Sequence, residues 1–146
     1  MRHNVFGKQL NRDTGQRQAL LKGLAGALIR SEAIETTETK AKAAVSLIEK
    51  LITKAKKAKL ADIQHIESVI TDRMLVQKLV SDIAPRFKDR KGGYLRLIKL
   101  GTRTGDNAPM VRMEFTSAAV AQTGPEKTAK PEKTASPTPK SKSHKS

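Results

Sequence analysis

From about residue 14 to residue 84, apolar residues recur at helical spacing; beyond that they alternate. Leu20, Leu21, Leu24 and Leu28 share one face of a helix that Thr14 can cap. Thr37 can cap a second helix, in which Ala41, Ala44, Val45, Ile48, Ile52 and Ala55 form a regular apolar stripe. Asp62 standing before Ile63, Ile66 and Ile70 predicts a third. A fourth follows Thr71 or Asp72, with Leu75, Leu79 and Ile83 toward the core. Pro85 disfavours the α conformation in the residue before it, so this helix is expected to stop by Ala84. Between the first two helices, AIETT at 33–37 is partly β-branched and reads as a short strand.

The alternation lies in GGYLRLIKLGTRTGDNAPMVRMEF, residues 92–115. Val111, Met113 and Phe115 point one way, and Met110, Arg112 and Glu114 the other. Leu95 and Leu97 alternate likewise with Tyr94, Arg96 and Ile98. Nine residues separate the two expected strands, more than a tight turn needs, and Gly105, Asp106, Asn107 and Pro109 among them are turn formers. The pattern as a whole predicts an α+β domain, with helices packed on one face of a small mixed, mostly antiparallel sheet.

Composition divides the 146 residues into three stretches. Residues 1–13 form a charged arm without periodicity, 14–116 the domain, and 117–146 a Lys/Pro/Thr/Ala-rich tail. The tail repeats PEKTAK and PEKTAS, has no aromatic residue, and holds four of the six prolines, so it is expected to be disordered. It carries six lysines against two glutamates; most of the net +15 therefore belongs to the rest of the chain. Such a charge favours a polyanionic partner.

Catalysis finds no support in the sequence. Cysteine is absent, and His3, His65 and His144 stand apart from one another and from any local carboxylate cluster, so neither a metal nor an acid–base site is expected. No cofactor and no small-molecule substrate are implied. The N-terminus lacks the apolar core of a secretory signal, and no run approaches a membrane span.

Basic residues do concentrate. Arg86, Lys88, Arg90, Lys91, Arg96, Lys99 and Arg103 face a single Asp89 in their segment, and Arg2, Lys8, Arg12, Arg17, Lys22 and Arg30 face Asp13. With acidic neighbours this scarce along the chain, both groups read as phosphate contacts. The stripe Lys50, Lys54, Lys57 is equally compatible with a solvated helix face. Four aromatic residues are few for a base-stacking reader, and no helix shows a recognition face, so folded RNA fits better than DNA. A basic nucleoid-associated architectural DNA-binding protein is the alternative.

Several separated blocks carry a more specific signal. MRH at the start, GKQLNR at 7–12, RQAL at 17–20, APRFKDRKGGYLRLIK at 84–99 and RTGDNAPM at 103–110 resemble the bacterial large-subunit ribosomal protein L-seventeen family, over roughly residues 1–116. Asn4-Val5-Phe6 and Gln16 depart from the family pattern. The resemblance implies a two-layer α-β-α-α-α-β-β fold and a structural, non-enzymatic protein. It also implies binding to 23S ribosomal RNA beside neighbouring ribosomal proteins of the cytoplasmic ribosome. By position it carries over Arg2, His3, Lys8, Arg12, Arg17, Arg86, Arg90, Tyr94, Arg96, Lys99 and Arg103 as RNA-binding residues. Lys22 and Lys91 join them from the charge pattern.

Overall fold

The computed structural model describes residues 8–116. The chain runs α1 (Thr14–Ser31), β1 (Ala33–Thr37), α2 (Glu38–Lys57), α3 (Leu60–Val69), α4 (Arg73–Lys78), a π-helical turn (Leu79–Ile83), α5 (Ala84–Arg86), β2 (Leu95–Thr102) and β3 (Pro109–Phe115). The predicted order of elements holds throughout. The tail and residues 1–7 lie outside the described residues.

Several boundaries moved. Asp13 rather than Thr14 takes the N-cap position of α1. Lys59 rather than Asp62 precedes α3, which places the Asp62 carboxylate in the first turn. Asp72 does cap α4, its Oδ1 accepting from the Met74 N–H at 2.9 Å. The expected stop at Ala84 is overturned. The helix passes through Pro85 because the turn before it widens, the Ala84 N–H bonding five residues back to the Leu79 carbonyl. A regular α-helix would drive the proline ring into the carbonyl of Ser81; a π-turn relieves that clash.

The sheet has the order β1-β3-β2, and both ladders are antiparallel, so it is not mixed. Met113 stands between Ile34 and Leu97, and Phe115 pairs with Leu95. These residues form the inner face, and all helices lie on that side. The core gathers Leu28 and Ile29 of α1 with Ile48, Leu51 and Ile52 of α2, then Ile66, Leu79, Ile83, Val111 and Met113. Phe87 packs edge-on against Tyr94, ring centroids 5.2 Å apart, and lies 6.1 Å from Phe115. Such pairs add about 0.5–1.5 kcal/mol beyond the area they bury.

The loop between β2 and β3 is shorter than expected, because both strands extend further. Gly101, with φ 107°, sits at a bulge that breaks the register after Lys99. The tip closes with the Arg103 N–H donating to the Ala108 carbonyl and the Asn107 N–H to the Arg103 carbonyl.

Candidate nucleic-acid interface

Arg86 lies at the end of the widened helix, where α5 meets the C-terminus of α1. Its Nη1 donates to Glu32 Oε2 at 2.8 Å and its Nη2 to Asp82 Oδ1 at 2.7 Å. Lys78 Nζ adds a contact to Glu32 Oε1 at 3.4 Å. The Arg86 fork, followed by the charge of Lys78, holds the Glu32 carboxyl below the usual carboxylate range. Glu32 first, and then Asp82, raise Arg86 in turn. This guanidinium is a clamp between elements.

Other cations of the segment behave alike. Arg96 Nε donates to Glu114 Oε1 at 3.0 Å across the ladder, and Arg112 reaches the second oxygen at 3.3 Å. Arg103 holds Asp106 with two bonds, 3.1 and 2.6 Å, inside the hairpin loop. The Arg103 bond and the Ala108 N–H lower the Asp106 carboxyl to about 2. Arg90 bonds the Thr116 hydroxyl and the Gly93 carbonyl. The expectation that acidic partners are scarce around this segment is therefore overturned for Arg86, Arg96 and Arg103. Their partners were hidden because two of them, Glu32 and Glu114, lie far away in sequence.

Tyr94 is also corrected. It is 1% exposed, packed on Phe87, with its hydroxyl 3.3 Å from both Lys56 Nζ and the Arg90 carbonyl. A ring this buried cannot stack on a base. Gly93, at φ 65°, turns the chain just before it and β2 begins only at Leu95, so Tyr94 precedes the strand's alternation and Arg96 is its first outward side chain.

The remaining predicted positions divide between two surfaces. Lys99 in the middle of β2 and Lys8 of the arm both add to the lowering of the Glu38 carboxyl, after the larger effect of its partner Lys42. The arm and the hairpin thus both lend positive charge to the N-terminus of α2. Arg12 and Arg17 are half-buried nearby in sequence, with Arg12 Nη1 bonded to the Leu10 carbonyl. Lys22 is exposed on α1 and donates to the Ser68 carbonyl at 3.1 Å. Arg2 and His3 lie outside the described residues.

The second surface is at the opposite end of α2. Lys56 Nζ bonds the Arg90 carbonyl and sits 5.3 Å from the Tyr94 ring centroid, tying the linker to the helix. That tie places Lys91 across an open cleft of about 480 Å³ from Lys50, Lys54 and Lys57. Charge spacing alone left this stripe undecided; the linker that completes the cleft is over thirty residues downstream.

Neither Gly23 nor Gly26 of α1 is demanded by packing. A Cβ at Gly26 would meet Leu75 at an ordinary 3.6 Å, and one at Gly23 would meet nothing. Among the described residues no group of three or more His, Asp or Glu side chains could hold a metal ion, and no helix is long and apolar enough to cross a membrane.

Comparison with known proteins gives this basic α+β domain its relatives. The family model described as ribosomal protein L17 matches residues 20–116. The "Large ribosomal subunit protein bL17" of Thermodesulfovibrio yellowstonii is 49% identical over 119 residues, covering 82% of this chain and 90% of the relative. The protein of the same name from Rickettsia canadensis is 50% identical over 115 residues, covering 79% and 85%. That of Geobacter metallireducens is 44% identical over 135 residues, covering 92% and 75%. With a match across the whole sheet and all its helices but the first turns of α1, the chain belongs to the ribosomal protein L17 family.

Proposed function

We propose that this chain is a structural constituent of the bacterial large ribosomal subunit, in the cytoplasm, binding 23S ribosomal RNA through Lys and Arg contacts to phosphates. The family membership over residues 20–116 carries this reading. Its relatives at 44–50% identity bear the name of a large-subunit protein. The net charge of +15 supports a polyanionic partner, and the lysines gathered at both ends of α2, which outnumber their carboxylates, supply places for its phosphates. The role is architectural, without a reaction or a cofactor. Neighbouring large-subunit proteins complete its surroundings.

Sedimentation of a cell lysate through a sucrose gradient tests this reading. The protein should travel with the large subunit and stay there after a moderate-salt wash. It should also keep its RNA when excess duplex DNA is added. Recovery with nucleoid DNA, or displacement by DNA at equal phosphate concentration, would replace the ribosomal reading with the architectural one.

A further inference from the structure

The cleft at the C-terminal half of α2 is a different surface from the arm and hairpin. The helix is 20 residues long, so its ends stand roughly 30 Å apart. One end carries Lys8, Lys42 and Lys99 about Glu38. The other carries Lys50, Lys54 and Lys57, with Lys91 on the facing wall. Along α2 the first three follow one another at about one helical turn, roughly 5 Å per step. That makes a ladder of ammonium groups rather than a single charged point.

The pairing of charges distinguishes this ladder from the arginines of the hairpin. Lys54 has Asp62 at 3.8 Å, too long for a strong hydrogen bond. Lys50, Lys57 and Lys91 have no carboxylate within ion-pair distance among the described residues, and all three are exposed. Glu49 is the other carboxylate on the rim, so four ammonium groups face two acids. Gly92 forms part of the lining without a side chain, and a Cβ there would meet no atom within 4 Å. Backbone can therefore come close to the cleft wall.

We propose that this cleft is a second phosphate-binding contact, in which Lys50, Lys54, Lys57 and Lys91 follow the sugar–phosphate backbone of one RNA strand. The inference rests on the RNA-binding reading above and adds a location to it. A small-molecule site is disfavoured by the lining, where flexible lysines take the place of the enclosed apolar walls that hold such ligands. An ammonium group on a long stem suits phosphate as a point charge, without demanding the fixed geometry a base edge would need. Lys56 is a positioning residue here: its bond to the Arg90 carbonyl sets the wall that carries Lys91.

The test is binding of the full chain to large-subunit ribosomal RNA over a series of potassium chloride concentrations. Lys50→Ala with Lys91→Ala removes one cation from each wall. Lys59→Ala with Arg73→Ala removes the same charge from exposed positions that do not line the cleft. Two lost phosphate contacts should flatten the log–log salt slope by about 1.4–1.8 units. The control pair should leave the slope unchanged, and thermal melts of both should match the parent. An equal drop in both variants, or in neither, would overturn the cleft while leaving RNA binding standing. Failure of the parent chain to bind the RNA would instead sink the functional reading itself. Retained RNA binding by the cleft variant, with lost binding to poly-glutamate, would assign the cleft to an acidic protein and overturn the proposal.

Discussion

Arg86 grips the carboxylate of Glu32, the residue whose left-handed backbone, φ 61°, ends α1 and releases the chain into β1. A non-glycine residue in this conformation costs about 1–2 kcal/mol. Here the side chain answers that cost by joining α1 to the far end of the helical run, 54 residues away.

Removing the clamp tests this account. Arg86→Ala should lower stability by about 1–2 kcal/mol, since a partly buried charged hydrogen-bond pair is lost. In that background Glu32→Gly should recover about 1 kcal/mol by relieving the left-handed strain. In the parent the same change removes the carboxylate as well, so its gain should be smaller or reversed. Urea denaturation of the four chains would read the coupling directly, and additive effects would show that the clamp contributes nothing.

The clamp also has a pH signature. The folded Glu32 carboxyl titrates below its ordinary value of 4.5, chiefly through Arg86. Its contribution is then fully present above the unfolded value and is lost as pH falls through the folded one. The stability gap between the parent and Glu32→Gln should therefore be constant near neutrality and close progressively below about pH 4.5. A gap that persisted undiminished to pH 2 would place the effect elsewhere.

Asp106 offers a local readout in the hairpin loop. Its carboxyl is lowered to about 2 by Arg103 first and the Ala108 N–H second. Carbon-detected NMR should follow it titrating near that value in the parent and nearer 3.8 in Arg103→Ala. Loop order tied to the pair should hold above the ordinary carboxylate range and fade as pH falls toward 2.

Tyr94 separates core from contact. Tyr94→Phe deletes a hydroxyl beside Lys56 and the Arg90 carbonyl, and should cost about 0.5–1.5 kcal/mol. It should leave the salt slope of RNA binding unchanged, because the ring is closed off from solvent. A weakened slope would return the ring to the interface.

Ala58 ends α2 in the left-handed region, φ 49°, with its N–H on the Lys54 carbonyl. Ala58→Gly should stabilise the domain by up to about 1 kcal/mol, since only glycine adopts that conformation freely. Differential scanning calorimetry would register a raised Tm; a lowered one would mean that the unfolded chain's added freedom dominates.

Elements with strong periodicity were legible before any coordinates. The stripe of α2 from Ala41 to Ala55, the alternation of Val111, Met113 and Phe115, and the short strand at 33–37 all stand where the pattern placed them. What stayed hidden depended on pairs distant in sequence. Local counting saw Arg86 beside Asp89, whereas space puts it against Glu32; Arg96 meets Glu114 only once β3 lies alongside β2. Lys50 and Lys91 come to line one cleft where Lys56 ties the linker to α2. Lys8 and Lys99 belong to separate basic groups along the sequence, and it is the fold that lets both act on Glu38.

The π-turn at Leu79–Ile83 makes helix length into an angular setting. Each residue in a helix advances the chain by about 100°, so the turn's extra residue rotates everything downstream by that amount. Phe87 then faces Tyr94 and Phe115, while Arg86 comes to Glu32. Deleting a single residue from this turn would leave both helical flanks chemically intact yet swing the aromatic ring away from the core. The segment should therefore accept a change at its exposed Ser81 far more readily than a change of length. Its count of residues, along with the buried Leu79 and Ile83, keys the helical layer to the sheet.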